Sequence, residues 1–145
     1  MYPVTAGCHG RQGPAVKIAV EVDHIVVPAR DPRATAELLA YILGLEVQGG
    51  AIVRSGDGLA LDVSESRHCY AFQCAFLLSG AEFDAALVRI RRARIDFYAT
   101  FDGKGPGELN LQHGARGLYF NDSDNHLFEL IEHRSPIKAV AIKFS

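Results

Sequence analysis

One order of local signals is written twice along this chain, and that repetition limits the fold more than any other feature. In the first copy a β-branched strand over residues 19–27 is stopped by Pro28. Asp31-Pro32 then supplies a helix N-cap with proline at the first helical position. Ala36, Leu39, Ala40 and Leu43 follow at the spacing of one helix face, and Gly44 closes the helix. Short strands at 46–48 and 51–54, a Ser55-Gly56-Asp57-Gly58 turn and a strand at 59–64 complete the unit. The second copy has a strand at 70–78, an N-cap at Ser79 and a helix with Phe83, Leu87 and Ile90 inward. A strand at 95–100, a Gly/Pro-containing loop over 102–112, a strand at 117–121, a turn at 122–125 and a strand at 126–132 follow. Asp57, Gly58 and Asp62 recur at one constant offset as Asp124, Asn125 and Glu129. The expectation is an α+β fold of two βαβββ modules, with their strands curved into a cup.

Strand alternation sorts the polar residues by face. Phe72, Cys74, Phe76 and Leu78 form the face that packs under a helix, leaving Gln73 on the other among Ala75 and Leu77. Glu129 lies between Leu127 and Ile131, and His24 between Val22 and Val26. A histidine, an amide and a carboxylate on equivalent strands suit a divalent metal, since imidazole and oxygen donors bind borderline first-row ions. Asp62 is a fourth ligand by internal symmetry. The plain alternative is a hydrogen-bonded His24–Glu129 pair without metal; against it, a lone buried carboxylate is costly.

The stretch Val22-Asp23-His24-Ile25-Val26-Val27-Pro28-Ala29-Arg30-Asp31, with Ile42-Leu43-Gly44-Leu45, resembles the opening of the vicinal oxygen chelate superfamily, which includes glyoxalases, bleomycin-resistance proteins and dioxygenases. The stretch from Gly117 to Glu129 is similar to its closing pattern, an aromatic strand, an acidic turn and a carboxylate ligand. The resemblance covers about residues 20–133. It implies a glyoxalase-like domain at 19–134, preceded by an N-terminal extension at 1–18 and followed by a tail at 135–145 whose weak alternation suits either an edge strand or a segment packed across a neighbour. It also implies that His24 and Glu129 are metal ligands and that the chain forms a homodimer. Ser123 and Asn125 stand where the pattern has proline and glycine, a mild change because asparagine tolerates the left-handed conformation. Gln73 stands where many members have histidine, which counts against the two-histidine, one-carboxylate iron oxygenases.

Two functions follow. One is an isomerase, lyase or transferase acting on an oxygenated small molecule, with zinc, nickel, cobalt or manganese held by His24, Gln73, Glu129 and Asp62, and with Glu129 also a candidate catalytic base. Tyr98, His113, Arg116 and Tyr119 are the candidate substrate-binding residues, although the histidine and arginine read more readily as solvated loop groups and the tyrosines equally as core aromatics. The other is a metal-free, ligand-sequestering dimer of the bleomycin-resistance type. Nucleic acid is not an expected partner: the formal charge is −2, and Arg89, Arg91, Arg92 and Arg94 fall at a helix C-terminus, where the dipole favours cations. No apolar run reaches the roughly 20 residues of a membrane span. Three cysteines in no metal or redox spacing point to a cytoplasmic setting.

Overall fold

The computed structural model describes residues 22–133 except 57, 59 and 113, together with 142 and 143. The expected N-terminal extension, most of the tail and His113 lie outside the described residues. The first half consists of β1 (His24–Ala29), α1 (Pro32–Leu43), β2 (Glu46–Gln48), β3 (Ile52–Arg54) and β4 (Ala60–Glu65). The second consists of β5 (Gln73–Ser79), α2 (Gly80–Arg92), β6 (Asn110–Gln112), β7 (Ala115–Asn121) and β8 (Leu127–His133), and β9 (Ile142–Lys143) follows. The two βαβββ modules are present. Their strands form two separate sheets, ordered β1-β4-β3-β2 and β6-β7-β8-β5-β9.

Both helices start where their caps place them. Asp31 accepts from the Ala34 amide at 3.1 Å, Pro32 occupies the first turn, and Gly44 ends α1 at φ +68°. Ser79 and Glu82 exchange bonds in a full capping box at the start of α2. In each module the first strand pairs in parallel with the last, β1 with β4 and β5 with β8. The helix between them is the crossover that a parallel pair requires.

One apolar core joins the halves. Val27, Leu39, Ile42, Leu61 and Val63 of the first share it with Phe76, Phe83, Ile90, Phe120 and Phe128 of the second. The Phe120 and Phe128 rings pack with centroids 5.4 Å apart. Both sheets therefore turn one face to the helices and leave the other free, as the alternation predicts.

Two local expectations are corrected. β1 runs through Pro28 to Ala29; it is an edge strand, so the missing amide costs no ladder bond. Residues 95–100 are not a strand. Tyr98 alone bridges to Tyr119, while the Ala99 amide turns to the carbonyls of Lys104 and Gly105. The segment 98–106 closes on itself as a hairpin, and the extra strand is β6, inside the region expected to be loop.

Candidate active site

The free face of the second sheet carries most of the expected donors. Register aligns Tyr119 with Glu129 and Glu129 with Ala75, and the Tyr98–Tyr119 bridge extends that row. The next row holds Gln73, Leu127 and Asn121. Gln73, Tyr98, Asn121 and Asn125 line a shallow hollow of about 490 Å³, walled by the hairpin with Phe101 at its tip. Phe101 is 70% exposed. Tyr119 is buried, and burial followed by its hydrogen bond to Glu129 pushes its phenol up to about 12. It keeps its proton at neutral pH beside the carboxylate that the strand register pairs with it.

His24 and Asp62 share the free face of the first sheet, where Val26 pairs with Asp62. The His24 ring is exposed, and its Nδ1 lies 2.7 Å from Asp23 Oδ2. An ionised carboxylate only accepts, so Nδ1 carries a proton, and in the neutral ring Nε2 is the nitrogen left to meet a metal. That is the carboxylate–imidazole arrangement that fixes a metal-ligating histidine. Sequence reasoning missed Asp23, although its place beside His24 was the available signal.

The structure does not bring His24 to Gln73 and Glu129 within one chain. No Cα of β1 lies within 8 Å of a Cα of β5 or β8, and the two sets sit on different sheets. Arg116 is placed away from the free face of the second sheet. It shares its face with Leu118 and Phe120, towards the helices, and its guanidinium grips Glu132 at 2.9 and 3.0 Å and Asp84 at 2.8 Å. It also lies 4.8 Å above the Phe83 ring. Cys74 is buried, and burial pushes its thiol up to about 12, which leaves it inert.

Asp122, Asp124 and His126 have ligand atoms within 4.8 Å of one another, close enough to hold an ion. Those atoms are already engaged. Asp122 accepts from the Thr35 hydroxyl at 3.0 Å and from the amides of Asp124 and His126, and Asp124 accepts from the Arg30 amide at 2.9 Å. His126 is fully buried; its Nδ1 accepts from the Phe72 amide at 3.1 Å, so its Nε2 donates to the Pro28 carbonyl at 2.6 Å. The group clasps the second half to the first. His126 could ligate a cation only by giving up one of its two bonds, whereas the two carboxylates keep lone pairs to offer.

Among solved structures, the chain is similar to "Oxidase ChaP-H2" at 37% identity, covering 80% of this chain and 95% of that one with a TM-score of 0.73. It matches a glyoxalase/dioxygenase from Nostoc punctiforme at 22% identity over 83% of this chain and 100% of that one, with a TM-score of 0.59. It matches the fosfomycin resistance protein FosX from Listeria monocytogenes at 22% identity over 83% of this chain and 97% of that one, with a TM-score of 0.58. No family model and no curated protein matches the chain.

Proposed function

Because this chain belongs to the vicinal oxygen chelate superfamily, we propose that it is a divalent-metal-dependent enzyme acting on an oxygenated small molecule, with each site shared between two copies of the chain. His24 of one copy would join Gln73 and Glu129 of the other. The observation that carries this reading is the His24 ring, oriented by Asp23 with Nε2 free on an exposed face, while the carboxylate and amide wait on a different sheet.

The donor set fits a metal: one neutral imidazole, one carboxylate and one amide oxygen, with Asp62 beside the histidine strand. A bound ion would supply Lewis acidity towards the substrate's oxygens. The residues of the chain do the rest. Tyr119 orients Glu129. Tyr98, Asn121 and Asn125 give hydrogen-bonding groups to the substrate, and Phe101 shields it from water. The name of the relative at 37% identity favours oxidation as the reaction class; isomerase, lyase and transferase chemistry at the same site follow behind it. Gln73 in place of a histidine supports a second reading, a metal-free dimer that sequesters a small ligand.

Mixing two inactive variants tests the shared site. His24→Ala and Glu129→Gln should each lose bound metal. In random mixtures half the dimers are mixed, and each has one intact site of two, so about a quarter of the parent's metal should return. Elemental analysis after refolding the mixture measures it, and oxygen uptake with candidate substrates follows the reaction. Full metal in either single variant sinks the proposal. Metal that is lost in both and never returns on mixing rejects the sharing between copies.

A further inference from the structure

A second cavity lies on the other side of the sheets from the proposed active site. It is a cleft of about 370 Å³ between the two modules. Val53 and Leu61 of the first sheet form one wall, and Phe76 with Ala86 of the second module form the other; all four are buried. His24, Gln73 and Glu129 do not line it. A hollow with walls like these forfeits dispersion contacts on its open side, and apolar cavities stay dry and take apolar guests. Its size falls in the range of small-molecule sites.

The polar groups in this cleft are few and underused. The Arg89 guanidinium lies flat over Gly44, where a Cβ would stand 2.7 Å from Nη1. Nη1 donates to the Ile42 carbonyl at 3.1 Å, and no carboxylate lies within ion-pair distance of Arg89 among the described residues. The bland role, capping the C-terminus of α1, uses one of its five N–H donors. Ser55 lines the same cleft, and its hydroxyl oxygen is buried with no hydrogen-bond partner among the described residues. The other charge in the lining, Glu82, is committed to the α2 capping box through the Ser79 amide at 2.8 Å.

A mostly apolar cleft, with a guanidinium at its margin that has no carboxylate partner among the described residues, matches a molecule with an apolar body and an anionic head. We propose that this cleft binds a small carboxylic acid with a flexible apolar chain, of the medium-chain fatty acid type. Arg89 takes the carboxylate through the N–H groups that no described residue occupies, and the chain fills the space between the modules. A bidentate guanidinium–carboxylate contact is the strongest polar interaction the lining offers.

The test uses octanoate, octan-1-ol and octylamine with the full chain, read by titration calorimetry and melting temperature. Octanoate should bind saturably and raise the melting temperature, octan-1-ol should bind more weakly, and octylamine should not bind. Arg89→Met should weaken octanoate by about tenfold or more, the scale of one lost charge-assisted bond, and leave octan-1-ol unchanged. Ala85→Phe adds bulk to the cleft from the half-buried face of α2 and should abolish both, whether or not Arg89→Met folds. His24→Ala should bind octanoate like the parent. Absence of saturable octanoate binding, equal affinity in Arg89→Met, or unchanged binding in Ala85→Phe each overturns the proposal.

Discussion

The two halves share an order of elements and differ in what they place on the free face of the sheet. The first offers an imidazole steered by Asp23, with Val26 beside it 52% exposed. The second offers a carboxylate paired across the strands with a buried tyrosine, and an amide, beside a wall built from the 98–106 hairpin. Short links join β2, β3 and β4, so the first half has no such wall. Duplication accounts for the scaffold, and the longer connection after α2 accounts for the binding hollow. Neither face holds a complete donor set, which is why the comparison leads to pairing between copies.

The halves also differ in which one holds the other. The turn at 122–126 sends bonds to Thr35, Arg30 and Pro28 of the first half, with buried His126 at its centre. His126→Ala should give the largest effect. It leaves the Phe72 amide and the Pro28 carbonyl buried without partners and opens a cavity, a loss of about 4 kcal/mol. Asp62→Ala, on the free face of the first sheet, should change stability by no more than about 0.5 kcal/mol. Urea unfolding measures both. Comparable losses at the two positions would show that the clasp is not what joins the halves.

Tyr119→Phe sharpens the contrast between the faces. With its folded-state phenol pushed up to about 12, against the ordinary 10 of the unfolded chain, the native state keeps a proton that the unfolded state releases. Stability from this group is therefore complete below about pH 10 and is lost as pH climbs towards about 12. The variant should lack that part of the alkaline decline, and phenolate absorbance should show one fewer late-ionising tyrosine. Its metal affinity should fall several-fold as Glu129 loses its orienting donor. An unchanged alkaline profile would remove Tyr119 from the carboxylate's support.

What was legible in the sequence follows from local chemistry. Caps at Asp31 and Ser79 and the alternation around Gln73 and Glu129 depend on neighbours a few residues apart, and the structure has them as read. Residues 95–100 misled because burial and pairing are different properties. Phe97 is buried as a strand residue would be, yet its carbonyl accepts from Gly107 in the hairpin. The Arg116–Glu132 pair was not legible because the two residues come together only across the β7–β8 pairing. The separation of His24 from Glu129 was hidden for a deeper reason: alternation names the free face of a strand and says nothing about which sheet it will meet.

The smallest effects decide whether the halves unfold together. Asp31→Ala removes the acceptor for the Ala34 amide in α1, and Ser79→Ala removes the acceptor for the Glu82 amide in α2. Each should cost about 1 kcal/mol, the usual worth of an N-cap. Each helix buries its inner face in the one core that also holds residues of the other half. A cap lost in either half should therefore shift a single cooperative transition, and the double variant should lose about 2 kcal/mol by simple additivity. Far-ultraviolet circular dichroism and tyrosine fluorescence, followed through the same melt, should remain coincident in both variants. If Asp31→Ala instead split the melt into two steps, with α1 released before the tyrosines of the second half, the halves would be separately stable units. The clasp at His126 would then be a docking contact between them rather than part of one fold.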